Sequence, residues 1–110
     1  PDGIGAEVFD FSLLDYVHKT VTEPFKREHV HLNFYNYETG KAVDPKWCPV
    51  STILCPSEFR RPDLILDVNT LDQYTFIKSL YEELYPKNSN FGISDIIHWY
   101  DNKYEKSSGL

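Results

Sequence analysis

A chain of 110 residues with 41% apolar and 25% charged residues is sized for one hydrophobic core and has the composition of a folded domain, which excludes a disordered or low-complexity polypeptide. Its formal net charge of −6 excludes a general electrostatic grip on nucleic acid, whose affinity rests on lysine and arginine neutralising phosphates. No apolar run approaches the roughly 20 residues of a membrane-spanning helix and no signal-like segment opens the chain, so a soluble, cytoplasmic protein is expected, with no membrane partner and with Cys48 and Cys55 as free thiols.

Pro1-Asp2-Gly3 reads as a turn. Ala6-Glu7-Val8-Phe9 predicts a short strand, on which Glu7 either faces solvent or reaches into a pocket. Phe11, Leu14, Val17 and Val21 recur at helical spacing, with Asp10 or Ser12 available as cap and Pro24 as the stop. Residues 25–35 are open to two readings. Val30, Leu32 and Phe34 alternate as in a strand, whereas Val30, Phe34 and Tyr37 share a helical face. Gly40, Pro45 and Pro49 mark residues 36–49 as a loop, and residues 50–54 read as an edge strand between two prolines.

The run Leu64-Ile65-Leu66 predicts a strand covered on both faces. It leads into Asp67-Val68-Asn69-Thr70, with Thr70 capping a helix whose apolar positions are Tyr74, Ile77, Leu80, Tyr81 and Leu84. That helix stops before Pro86. Ser94 is expected to cap a last helix carrying Ile96, Ile97 and Tyr100, and residues 106–110 to form a frayed tail. In α/β proteins ligands gather outside the carboxyl ends of strands, which makes Asp67 and Asn69 candidate metal ligands. On local grounds alone, either could instead cap the helix. Arg27 can clamp an anion with two parallel bonds, and His29 nearby can donate or accept near neutral pH. Lys26, Arg60 and Arg61 are further local cations. His29 and His31 could share one side of a strand, but no third zinc ligand is evident.

The segment from Leu64 to Gln73 resembles the hydrophobic-Asp-Val-(Asp/Asn)-Thr-Pro-Glu-Asp element of sugar nucleotidyltransferases, with Leu71 in place of the usual proline and Gln73 in place of the acid. Pro1-Asp2-Gly3, Glu7-Val8-Phe9, Arg27-Glu28-His29-Val30, the Asp67 element and the region from Tyr81 to Asp95 follow the order seen in cytidylyltransferases of the spore-coat polysaccharide and acylneuraminate type. The resemblance implies an α/β fold: the C-terminal part of a Rossmann-like nucleotide-diphospho-sugar transferase sandwich, with few strands and helices packed on them. It implies that residues 1–110 form a single domain that is the C-terminal portion of a larger one, the glycine-rich nucleotide loop lying upstream. The implied reaction transfers CMP from CTP to a sugar or sugar acid for polysaccharide or glycan synthesis, with Mg2+ as cofactor. In that scheme Asn69 and Asp67 bind metal, Glu7, Arg27 and His29 bind the acceptor, and the helix lean for residues 25–35 is favoured. A homodimer fits the family, and the segment alone is expected to be inactive. The alternative is a small acidic α/β protein-interaction module without catalysis; a glycosyltransferase remnant fits the Asp67 element less well.

Overall fold

The computed structural model describes residues 1–104. It divides into two compact units, one formed by Ala6–Leu54 and the other by Pro1–Gly5 with Cys55–Leu110. The tail expected at residues 106–110 lies outside the described residues.

In the Ala6–Leu54 unit, helix α1 spans Phe11–Thr20. Its cap is Asp10, whose carboxylate accepts from the Ser12 amide at 3.0 Å. That bond holds the Asp10 carboxyl below its usual range. Pro24 occupies the first turn of helix α2, Pro24–Glu28, where its missing N–H needs no partner. A 3-10 turn follows at Val30–Asn33. The segment open to two readings is therefore helical over most of its length, and ends in a strand at Tyr35. Buried Asn33 secures this outcome, its amide donating to the Lys26 and Val30 carbonyls at 2.9 and 3.0 Å. Strands β1 (Tyr35–Asn36) and β2 (Lys41–Ala42) pair antiparallel with Tyr35 opposite Ala42 and Asn36 opposite Lys41; all but Tyr35 lie inside the stretch predicted as loop. The hairpin was hidden because each strand is only two residues long and its turn rests on Gly40 at φ +69°. Val17, Phe34 and Cys48 form the core, with Leu13, Val21 and Val30 packed on it.

Neither the strand expected at residues 6–9 nor that at residues 50–54 forms. Both stretches are β-prone in composition, but a strand needs a paired neighbour, and Val8 and Ile53 stay 97% and 99% exposed.

In the other unit, Leu64-Ile65-Leu66 makes a single parallel bridge, Asp2 to Ile65, instead of a strand. One face only is covered: Leu64 is 1% exposed and Ile65 40%. Helix α3 runs Leu71–Leu84 from the predicted Thr70 cap, and helix α4 spans Ile93–Trp99. Gly92, not Ser94, is the cap residue of α4, because the Asp95 carboxylate reaches back to accept from the Gly92 amide at 2.9 Å. A π turn continues at Tyr100–Tyr104. Leu64, Leu80 and Trp99 are buried, and the Phe76 ring packs against Trp99 and Tyr100 at centroid distances of 5.7 and 6.0 Å. Arg61 joins the start of this unit's sequence run to its end, bonding Asp63 at 2.9 Å and Asp101 at 2.8 Å while lying over the Tyr100 ring. These bonds raise the Arg61 pKa further and hold the Asp63 carboxyl below its usual value.

The described chain thus mixes helix with little sheet, a coarse α/β arrangement with one two-stranded sheet among the described residues. No described helix is long and apolar enough to cross a membrane.

Candidate functional site

The five residues singled out in the sequence fall in both units: Glu7, Arg27 and His29 in Ala6–Leu54, Asp67 and Asn69 in the other.

Around Asp67 the backbone is tied down on both sides. The Asp2 amide donates to the Leu64 carbonyl at 3.0 Å and the Leu66 amide to the Asp2 carbonyl at 2.8 Å. Gly3, at φ +88°, then lies so close that a Cβ there would stand 2.6 Å from the Asp67 nitrogen and 2.7 Å from its Oδ1. Glycine is required at that position both by conformation and by space. On the other side the Thr70 hydroxyl accepts from the Gln73 amide at 3.2 Å, and Gln73 Oε1 accepts from the Asn69 amide at 2.6 Å. This is the reciprocal logic of a capping box, shifted by one residue. Gln73 completes the cap.

The capping work therefore falls to Thr70 and Gln73. The Asp67 carboxylate, half-buried, and the exposed Asn69 side chain make no hydrogen bond to another described residue. Carboxylate and amide oxygens are of the kind that a hard cation takes as ligands. Among the described residues no three His, Cys, Asp or Glu side chains gather as a metal site. A shallow cavity of about 250 Å³ lies beside the element, lined by Asp63, Leu64, Ile65, Asp72, Gln73, Phe76 and Tyr100.

In the Ala6–Leu54 unit, the Glu7 carboxylate accepts from the Tyr37 hydroxyl at 2.8 Å. The Tyr37 ring stands nearly perpendicular to the Tyr35 and His31 rings at centroid distances of 4.9 and 5.4 Å, and His31 in turn meets His29 at 6.1 Å. His29 packs against Phe25 with the rings tilted, at a centroid distance of 4.7 Å. The fold thus brings Glu7 and His29 into one row of rings, joined by Tyr37 and His31. Neither joining residue was singled out for this role in the sequence. The only available signal was the density of aromatic and imidazole residues between positions 29 and 37.

Arg27 is differently occupied. Its Nη1 donates to the His18 and Val21 carbonyls at 3.0 and 2.8 Å, closing the C-terminal end of α1, and its Nη2 lies 3.2 Å from His18 Nδ1. Among the described residues its Nε makes no hydrogen bond. The other cations named from sequence are also engaged: Arg60 donates to the Cys55 carbonyl at 2.9 Å, Arg61 binds two aspartates, and Lys26 lies 3.8 Å from Glu23.

Comparison of the chain with protein families, curated proteins and solved structures finds no match.

Proposed function

We propose that this chain is the C-terminal part of a Rossmann-like nucleotide-diphospho-sugar transferase sandwich, of the cytidylyltransferase type, that moves CMP from CTP to a sugar or sugar acid in the cytoplasm for polysaccharide or glycan synthesis. The observation that carries the reading is the close approach of Gly3 to Asp67. Pro1-Asp2-Gly3 and the Asp67 element are two of the ordered matches to that family, far apart in sequence, and they lie against each other with the candidate ligand oxygens uncommitted.

In this reading Asp67 and Asn69 hold Mg2+, which supplies neutralisation of charge on the phosphates during displacement of pyrophosphate. Glu7 accepts from a hydroxyl of the acceptor, and His29 lies in the same ring row for an acidic substituent. Arg27 contributes chiefly by bracing α1 against the segment that carries His29.

The test is an assay of pyrophosphate release from CTP and Mg2+ by the complete gene product that contains this chain, against a panel of sugars and sugar acids. Turnover with at least one acceptor is expected, with Asp67→Ala lowering kcat by about 10²-fold. A preparation that is folded but consumes no CTP with any acceptor sinks the proposal.

One observation favours a second reading, a protein-interaction module: Val8, Ile53 and Leu54 are 97%, 99% and 81% exposed. Such apolar side chains suit a protein partner. That reading expects no CTP turnover, and expects Ile53→Asp to abolish association in sedimentation.

A further inference from the structure

The pairing of Tyr37 with Glu7 has a chemical consequence. An ionised glutamate is an acceptor at both oxygens. One of them, Oε1, is taken by the Tyr37 hydroxyl at 2.8 Å, and Oε2 has no partner among the described residues. Tyr37 is held from three directions. It begins the turn of the β1–β2 hairpin, whose backbone is fixed by the Asn36 side chain accepting from the Glu38 and Thr39 amides at 2.9 and 3.1 Å, and by the Gly40 amide bonding the Asn36 carbonyl at 2.9 Å. Its ring stands at 81° and 83° to the rings of His31 and Tyr35, two edge contacts that fix its plane. Tyr37 as a whole nevertheless stays 57% exposed.

Glu7, by contrast, lies on an irregular segment outside any helix or strand, anchored nearby by the Phe9 ring on Phe34 at 5.1 Å. Its orientation therefore depends on the phenol. The bond also raises the Tyr37 pKa, so the phenol stays protonated, and a donor, throughout the neutral range.

We infer that Tyr37 is the positioning residue for Glu7 and the stacking platform of a saccharide subsite, which takes a pyranose whose hydroxyl donates to Glu7 Oε2 while its C–H face lies on the exposed Tyr37 ring. Aromatic rings with an adjacent carboxylate suit such a ligand because the ring covers the apolar face of the sugar and the carboxylate orders its hydroxyls. The inference rests on the reading of Glu7 as an acceptor contact and deepens it by adding Tyr37, which no pattern of the family pointed to.

Saturation-transfer NMR on the chain tests it, with N-acetylneuraminate, glucuronate and N-acetylglucosamine as probes at millimolar concentration. The native chain is expected to transfer saturation to the ring protons of at least one of them. Tyr37→Phe keeps the ring but removes the donor, and binding should weaken by roughly tenfold; Glu7→Gln should weaken it by a similar factor. In the double variant the two losses should not add, because each removes the same coupled unit. Tyr37→Ala should abolish transfer, with the circular dichroism spectrum and melting curve showing a folded chain.

Three results overturn the inference: no transfer from the native chain to any probe, a Tyr37→Phe chain that binds as the native does, or losses that add fully. The outcome separates this inference from the broader one. CTP turnover by the complete gene product with an unchanged sugar KM in Tyr37→Phe refutes the role of Tyr37 alone. Tyr37-dependent sugar binding without any CTP turnover refutes the cytidylyltransferase alone.

Discussion

In the Ala6–Leu54 unit the candidate side chains are held by protein partners, whereas around Asp67 it is the backbone that is held and the side chains that are left open. Glu7 is oriented by a phenol and Arg27 is drawn into closing a helix end. Asp67 and Asn69 are fixed through Gly3, Asp2 and Gln73, all acting on main-chain atoms or occupying the space beside them. A side chain already satisfied by protein contributes to stability when it is present and costs stability when it is removed. One that is uncommitted at the end of a rigid backbone can be removed with little effect on folding, and its value lies in what it can bind.

The contrast can be broken by mutation. The reference for a purely structural change is Leu80→Ala, which empties a site 2% exposed and should cost about 3 kcal/mol in urea unfolding. Gly3→Ala comes next, at about 2 kcal/mol, since it combines an unfavourable φ with a backbone clash at Asp67. Its sharper readout is hydrogen exchange at the Leu66 amide, which bonds the Asp2 carbonyl and should lose protection. Arg27→Lys should cost about 1 kcal/mol, because both carbonyls bond the Nη1 nitrogen at the end of a side chain one bond longer than lysine's, and the Nη2 contact with His18 Nδ1 goes with it. Thr70→Ala should cost about 1 kcal/mol through loss of the α3 cap. Asn69→Ala should change stability by less than about 0.5 kcal/mol. If Asn69→Ala instead destabilises as much as Thr70→Ala, the distinction between held and open side chains fails at the site where it matters most.

Titration sharpens the same comparison at smaller amplitude. The Asp63 carboxyl is depressed by its bond to Arg61, so its contribution is present above the ordinary carboxylate value and is lost as pH falls through the depressed one, below about 4. Tyr37 is raised, mainly by its bond to Glu7, so its contribution is present below the ordinary phenol value and lost as pH rises through the raised one, above about 10. Thermal melts across both windows should show the acid loss disappear in Asp63→Asn and the alkaline loss disappear in Tyr37→Phe.

The sequence displayed what is local. Helices α1 and α3 follow from apolar spacing, and the roles of Asp10 and Thr70 follow from cap chemistry within a few residues. The strands expected at residues 6–9, 50–54 and 64–66 failed for a common reason. β-prone composition describes a surface suited to pairing, but the pairing neighbour is a matter of tertiary structure, and only Asp2 supplies a bridge, to Ile65. The link from Glu7 to Tyr37 spans 30 residues, and no periodicity carries information over that distance. Asp67 and Asn69 could be singled out because their positions are local, just after an apolar run and just before a cap. That Gly3 supports them could not, since the need for glycine arises from a chain segment folded back from far along the sequence.

The two cysteines offer a practical handle. Cys48 is buried in one core while Cys55 is exposed at the point in the chain where one unit gives way to the other. A maleimide dye should therefore label the native protein at Cys55 alone and reach Cys48 only when the Ala6–Leu54 unit opens. The rate of second-dye incorporation then reports the opening of that unit by itself, on an unmutated chain.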